Sequence, residues 1–267
     1  MADQQAQLSW RDEIIPVSQQ FDDPYFSLQN GLAETEHVFL QGNDLPARFT
    51  SAVQQGGDFH VAELGFGTGL NLLAVWRAWE QAQQSQAAGD HADGAGGPAG
   101  VLHFTSFEAF PMAPEDMARA LQAFPEVAPW AERFLALWNG IGAPDLDTSD
   151  LDTSDLGAVD LGTIDLGNVD LGTARVTVIK GDARMSLPEW TGRADAWFLD
   201  GFSPAKNPEL WQEDLLQQVA NHTASGGTAA TYTAAGFVRR GLAAAGFEVS
   251  RSPGFGRKRH MTKAILR

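Results

Sequence analysis

Four short stretches of this sequence hold side chains whose type and spacing can do chemistry. The first is Val61-Ala62-Glu63-Leu64-Gly65-Phe66-Gly67-Thr68-Gly69-Leu70-Asn71, where a β-like run closes on an acid and glycines follow at alternate positions before a helical pattern. Glycine at those positions lets the backbone turn tightly and approach a ligand with no Cβ in the way. The helix behind it offers free N–H groups and the positive end of its dipole. The dinucleotide pattern G-x-G-x-x-G fails, because its third glycine would fall at Leu70. A Walker A loop fails too, for want of Gly-Lys-Ser/Thr. A tight glycine turn in an unrelated α/β protein is the ordinary alternative.

The second and third stretches are Glu108, after the run Val101–Phe107, and Asp182 in Lys180-Gly181-Asp182-Ala183, after Arg175–Lys180. A carboxylate at Glu108 can accept from both hydroxyls of a ribose, and one at Asp182 from an adenine amine. Glu108 lies farther from the glycine loop than the usual ~20 residues, and a Gly/Ala-rich insertion accounts for the excess. Each acid taken alone reads as a solvated loop carboxylate. Three acids at the C-terminal ends of successive parallel strands form a constellation at the edge where open α/β sheets bind ligands.

The fourth stretch is Asp200-Gly201-Phe202-Ser203-Pro204-Ala205-Lys206-Asn207-Pro208, after the apolar run Asp195–Leu199. Asp200 can hold an amine and take or relay its proton, Phe202 can wall a pocket and favour a cation through its ring face, and Lys206 can meet a phosphate or a carbonyl. Asp-Gly is also a good turn, and Pro204 and Pro208 also rigidify a loop. The histidines are scattered, with no H-x-H or H-x-x-x-H pair, so no metal site is expected. No G-x-S-x-G elbow supports an acyl hydrolase.

These loops need strands and helices to carry them. The runs His60–Leu64, Val101–Phe107, Arg175–Lys180, Asp195–Leu199 and Gly227–Tyr232 read as strands, and Leu70–Gln86, Pro114–Trp138, Pro208–His222 and Phe237–Ala245 as helices. Such alternation predicts a parallel sheet covered on both faces. Phe247–Ser250 and Ala264–Leu266 close the chain as strands. With only Arg251–Lys263 between them and no crossover helix, the last strand is expected to be antiparallel. Residues 1–57 read as an N-terminal extension packed on a domain of residues 58–267. Residues 87–100 and 145–172 read as flexible insertion loops. The second is a pentad repeat, DLDTS-DLDTS-DLGAV-DLGTI-DLGNV-DLG, whose structured alternative is a small β-helical cap.

Composition bounds the rest. The 267 residues suffice for one large α/β domain. With no cysteine, disulfides, thiolate metal sites and a cysteine nucleophile are excluded. No apolar stretch is long enough for a membrane span and no leader opens the chain, so a soluble cytoplasmic protein without membrane partners is expected. The net charge is −16. Even so, residues 233–267 carry eight basic side chains against the single acid Glu248. Arg257, Lys258 and Arg259 form the densest group, readable as a phosphate-contacting patch or as a solvated charge cluster.

The glycine loop in its acid-x-G-x-G-x-G form resembles the nucleoside loop of S-adenosylmethionine (SAM) methyltransferases. With it, SFEAFP around Glu108, FLDGFSPAKNPELW, the terminal GFGRKRHMTKAIL, DPYFS at Asp23–Ser27 and VFLQGNDLPARF at Val38–Phe49 together resemble the methyltransferase half of the bifunctional tRNA-modifying MnmC enzymes. The resemblance implies a class I, Rossmann-like fold with a seven-stranded sheet. It implies SAM-dependent N-methylation of 5-aminomethyl-2-thiouridine at the tRNA wobble position, giving 5-methylaminomethyl-2-thiouridine. It assigns SAM binding to Glu63, Gly65, Phe66, Gly67, Thr68, Gly69, Asn71, Glu108, Asp182 and Ala183. Catalysis falls to Asp200 and Phe202. Substrate binding falls to Lys206, Arg257, Lys258, Arg259, Tyr25 and Phe26, with Tyr25 and Phe26 walling the pocket. Those enzymes continue into a flavin-dependent oxidase, whereas this chain stops at Arg267. It is therefore expected to bind no FAD and no metal, and to receive its amine from an FAD-dependent oxidase, separate or fused.

Three rival readings remain at this level: a SAM methyltransferase of a small molecule or protein amine, an aminopropyl transferase using decarboxylated SAM, and a SAM-binding module without catalysis. On the insertion-loop reading, deleting residues 145–172 leaves SAM affinity unchanged in a direct binding titration.

Overall fold

The period-two strand runs are satisfied by burying both faces of a single sheet. The computed structural model describes residues 5–27, 29–89, 100–141, 163–165 and 173–267. In chain order its strands are β1 (Leu8–Arg11), β2 (Ile15–Ser18), β3 (Asp23–Pro24), β4 (Phe59–Leu64), β5 (Leu102–Glu108), β6 (Thr163–Asp165), β7 (Ala174–Lys180), β8 (Ala194–Leu199), β9 (Thr223–Thr231), β10 (Phe247–Pro253) and β11 (His260–Leu266). Its helices are α1 (Gly31–Thr35), α2 (Leu45–Gln54), α3 (Leu70–Gly89), α4 (Pro114–Leu121), α5 (Ala128–Ile141), α6 (Ala183–Ser186), α7 (Glu213–Asn221) and α8 (Gly236–Ala244).

The main sheet runs β10-β11-β9-β8-β4-β5-β7-β6. The pairs β8–β9, β4–β8, β4–β5 and β5–β7 are parallel, and β11 is antiparallel to both neighbours. The seven-stranded, mostly parallel sheet with an antiparallel last strand is thus present. Thr163–Asp165 of the pentad repeat adds a short antiparallel strand on the outer edge of β7. The remainder of that repeat, and residues 90–99 of the other expected loop, lie outside the described residues.

On β4, Phe59 and Val61 face one side and Ala62 and Leu64 the other; on β8, Ala196 and Phe198 oppose Trp197 and Leu199. All are buried. The first face is covered by α2, α3 and α5 through Phe49, Trp76, Trp79 and Phe134, and the second by α7 and α8 through Leu215, Leu216, Val238 and Leu242.

Two sequence readings change. The segment Pro114–Trp138, read as mostly helical, is two helices parted by a 3₁₀ turn at Pro125–Val127, since proline cannot donate to a continuing helix. The last two strands are longer than read, with Arg251↔Thr262 and Pro253↔His260 paired, so the connecting loop shrinks to residues 254–259. Charged residues on the exposed face of a hairpin do not interrupt its ladder.

The described residues among 5–57 pack on this sheet, with Leu32, Val38, Phe39, Leu45 and Phe49 in its core. Strands β1–β3 form a small antiparallel sheet. Asn30 caps α1 by accepting from the Ala33 N–H at 2.9 Å. A wide π turn, Glu36–Leu40, then leads to α2. Such turns recur near functional sites. Phe49 on α2 meets Trp79 on α3 edge-on, centroids 5.2 Å apart, and both are fully buried. Among the described residues, no helix is long and apolar enough to cross a membrane. Phe49→Ala is expected to lower stability by about 3–5 kcal/mol, read from the denaturant midpoint.

Candidate active site

The chain builds outward from β4 through β5 to β7, then returns to β8 beside β4, so the order reverses between β4 and β8. Open α/β sheets bind ligands at such a reversal, beyond the C-terminal strand ends. A cleft of about 1560 Å³ lies there. It is lined by the glycine loop after β4, Glu108 and Phe110 after β5, Gly181–Arg184 after β7 and the Asp200–Leu210 segment after β8. The N-terminal segment supplies the facing wall.

Gly65 sits at φ +90 and Gly67 at φ +56, a region that favours glycine. A Cβ on Gly65 would lie 3.3 Å from Gly201 Cα, and one on Gly67 would lie 3.1 Å from the Tyr25 ring. Both oxygens of Glu108 accept from backbone: Oε2 from Gly67 N–H at 3.0 Å, Oε1 from Phe110 N–H at 2.8 Å. They shape the loop and keep further lone pairs for a ligand. Asp182 caps α6, accepting from Arg184 N–H at 2.9 Å, and pairs with the Arg184 guanidinium, which holds its carboxyl below the usual range.

Asp200 is half-buried and lines the cleft. Its Oδ1 accepts from Gly201 N–H at 2.8 Å and its Oδ2 from the Asn71 amide at 2.8 Å. Burial raises its carboxyl from 3.8 to about 6, against the pull of those two bonds. The protonated form's contribution to stability is therefore complete below the ordinary aspartate range and is lost as pH rises through about 6. Phe202 stacks on Phe21 (4.7 Å, 24°) and receives the edge of Tyr25 (5.1 Å, 79°). Burial, with the nearby Glu108 charge, pushes the Tyr25 hydroxyl up.

Most of the residues expected from the sequence meet in this cleft: Gly65, Phe66, Gly67, Thr68, Asn71, Glu108, Asp182, Ala183, Asp200 and Phe202, with Tyr25, Phe26, Lys206 and Lys258. Glu63, Gly69, Arg257 and Arg259 are not among its lining residues. Glu63 lies beneath the loop, fully buried, accepting from Asn71 Nδ2 and the Ser106 hydroxyl, each at 2.7 Å. Burial pushes its carboxyl well above the usual range. Lys206 is turned to the N-terminal segment, donating to the Asp22 carbonyl and facing the Asp22 and Asp23 carboxylates at 3.5 Å. The basic triplet divides: Arg257 and Arg259 are exposed, while Lys258 donates to Glu34 Oε1 at 2.7 Å and lies 4.0 Å over the Tyr232 ring.

Sequence reasoning missed Phe21, Asp23, Glu34, Thr35 and Tyr232. Only the last carried a signal. The chain has 16 phenylalanines but two tyrosines, and both tyrosines line the cleft. A buried tyrosine needs a partner for its hydroxyl, and Tyr232 donates to the Gly201 carbonyl at 2.8 Å.

A family profile described as S-adenosyl-L-methionine-dependent methyltransferase matches residues 162–267. The chain is 43% identical over 262 residues to the tRNA 5-methylaminomethyl-2-thiouridine biosynthesis bifunctional protein MnmC of Chromobacterium violaceum, covering 98% of this chain and 34% of that protein. It is 42% identical to the MnmC of Hahella chejuensis, covering 98% and 36%. It thus spans about a third of the length of the curated relatives it matches. The crystal structure of MNMC2 from Aquifex aeolicus superposes with a TM-score of 0.67 at 22% identity, covering all of this chain and 72% of that one. The resemblance carried by the motifs therefore extends along nearly the whole sequence, and the fold is the methyltransferase fold that the resemblance implied. Gly65→Ala, strained at φ +90 and pressed on Gly201, is expected to cost about 1–3 kcal/mol and to weaken SAM binding, both read by thermal shift with and without SAM.

Proposed function

Starting from a chain that matches a third of the bifunctional MnmC proteins, we propose that it is a SAM-dependent methyltransferase acting on the aminomethyl group of 5-aminomethyl-2-thiouridine at the tRNA wobble position. The observation that carries the reading is Asp200. A carboxyl that burial raises to about 6 opens into the cleft, and its neighbour Gly201 lies where a Cβ on Gly65 of the glycine loop would come within 3.3 Å.

The cleft fits SAM on its own features. Gly65 and Gly67 form a cradle that a Cβ would fill, and the carboxylates of Glu108 and Asp182 line the same cleft, where on this reading they take ribose hydroxyls and an adenine amine. When bound, SAM supplies a methyl group that passes in line from a sulfonium to a neutral nucleophile.

The chain's own work is on the acceptor. An aliphatic amine titrates near ~10.4 and reaches the cleft as a cation. Asp200, ionised above about 6, seats that cation and receives or relays the proton whose loss frees the nitrogen lone pair. Phe202, with Phe21 and Tyr25 against it, excludes water and presents ring faces that favour a cationic centre. Glu34 and Asp23 add acceptors to the same cleft, which disfavours a precursor carrying a carboxylate on the amine. Lys206 clasps the N-terminal wall to the Asp200 loop. The exposed Arg257 and Arg259 flank Lys258 and contact tRNA phosphates. A tRNA acceptor puts the enzyme in the cytoplasm, and an FAD-dependent oxidase, separate or fused, releases the amine upstream.

A second reading, a small-molecule or protein amine as acceptor, draws on the net charge of −16. Label transfer from SAM to tRNA carrying the free aminomethyl group, with carboxymethylaminomethyl tRNA as control, separates the two. We expect label on the first only, with a steep fall as salt rises. Label on neither, with SAM still bound, favours the second reading. Asp200→Asn should keep SAM affinity and lose about 10²–10⁴-fold in turnover. The wild-type rate should fall as pH drops through about 6.

A further inference from the structure

Glu63 and Asp200 end neighbouring parallel strands. The register sets Glu63 beside Phe198 and Leu64 beside Leu199, so the two carboxyl groups converge beneath the glycine loop. Two carboxyls in one buried volume need a donor between them. Asn71, in the first turn of α3, is that donor. Its Nδ2 donates to Glu63 Oε1 at 2.7 Å and to Asp200 Oδ2 at 2.8 Å, and its Oδ1 accepts from the Thr35 hydroxyl at 2.8 Å. Glu63, Thr35 and Asn71 are 0%, 5% and 7% exposed. Both amide hydrogens are therefore taken by protein, and the Asn71 side chain has no donor left for a cofactor. Asparagine is a poor helix former, and here it interrupts Leu70, Leu72, Leu73, Ala74 and Val75. Its tertiary bonds are what offset that local cost.

We propose that Asn71 is a positioning residue for Asp200, held in orientation by Thr35, rather than a cofactor ligand. The proposal rests on Asp200 as the acceptor carboxylate. The amide keeps one rotamer of Asp200 and leaves its free lone pairs toward the cleft. Each of the amide's hydrogens also favours the ionised form of the carboxyl it meets, against the burial that raises both. Of the two, Glu63 is sealed from solvent and burial holds its carboxyl well above the usual range, while Asp200 reaches the cleft. The other charged or titratable groups facing Asp200 are Glu34 from α1, Lys258 from the β10–β11 loop and Tyr232 after β9. None of them bonds Asp200 in the way the amide does.

The test is a carboxyl-carbon NMR titration of Asp200 in the intact protein without acceptor, with SAM affinity measured alongside. In Asn71→Ala the Asp200 midpoint should rise by about one unit, with SAM affinity within about threefold and turnover recovering as pH is raised. In Thr35→Val, which leaves Asn71 in place but frees its amide, the shift should be smaller and of the same sign. If Asn71→Ala does not fold, Thr35→Val supplies the same readout. An unmoved midpoint in the folded variants overturns the proposal. So does a loss of SAM affinity with the midpoint fixed, which would make Asn71 a cofactor ligand. A moved midpoint together with full turnover in Asp200→Asn would sink the catalytic reading and spare the amide's role.

Discussion

The ends of β4 and β8 approach so closely at Gly65 and Gly201 that no side chain fits freely between them, and the site depends on that approach. A side chain at Gly65 would press on Gly201 Cα, and one at Gly201 would strike Leu210 at 2.4 Å. With neither present, the glycine loop and the Asp200 loop lie against each other at the point where strand order reverses. On the proposed reading, the groups that would face cofactor and those that would face the acceptor then share one cleft. An in-line transfer needs that adjacency, since the donor and acceptor atoms must come to about 3–3.5 Å.

The wall opposite the sheet is made by the N-terminal segment and clasped at several places. The Ser203 N–H donates to Asp23 at 2.9 Å, Lys206 reaches Asp22, and Phe21 and Tyr25 grip Phe202. On the far side, Lys258 bonds Glu34, and a His37 ring nitrogen lies 3.0 Å from the Pro253 carbonyl. The N-terminal segment is therefore part of the cleft. Exposed ion pairs of this kind are individually weak. The aromatic contacts, which remove apolar surface from water, hold the wall in place.

What was legible in the sequence followed from local rules. Strand runs with both faces apolar announced a covered sheet, alternate glycines announced a loop that approaches a ligand, and a short link without a helix announced the antiparallel hairpin. What was illegible depended on partners far apart in the chain. Thr35 bonds Asn71 across 36 positions and Lys258 bonds Glu34 across 224. Neither pairing leaves a periodic trace. Lys206 and Glu63 show the converse. Their residue types fitted a ligand, yet burial and a nearer partner engaged them within the protein. The signal for Asn71 was a polar residue at a position where the helix pattern asked for an apolar one.

The short strand β6 has a consequence of a different kind. Without it β7 would be an outer strand of seven residues, with a row of backbone donors and acceptors open to any passing chain. Thr163–Asp165 pairs with that row and ends after three residues. A strand so short offers little template for further pairing, which is how natural sheets blunt their edges against self-association. Among the described residues, Thr163–Asp165 thus leaves this side of the sheet a poor nucleus for aggregation.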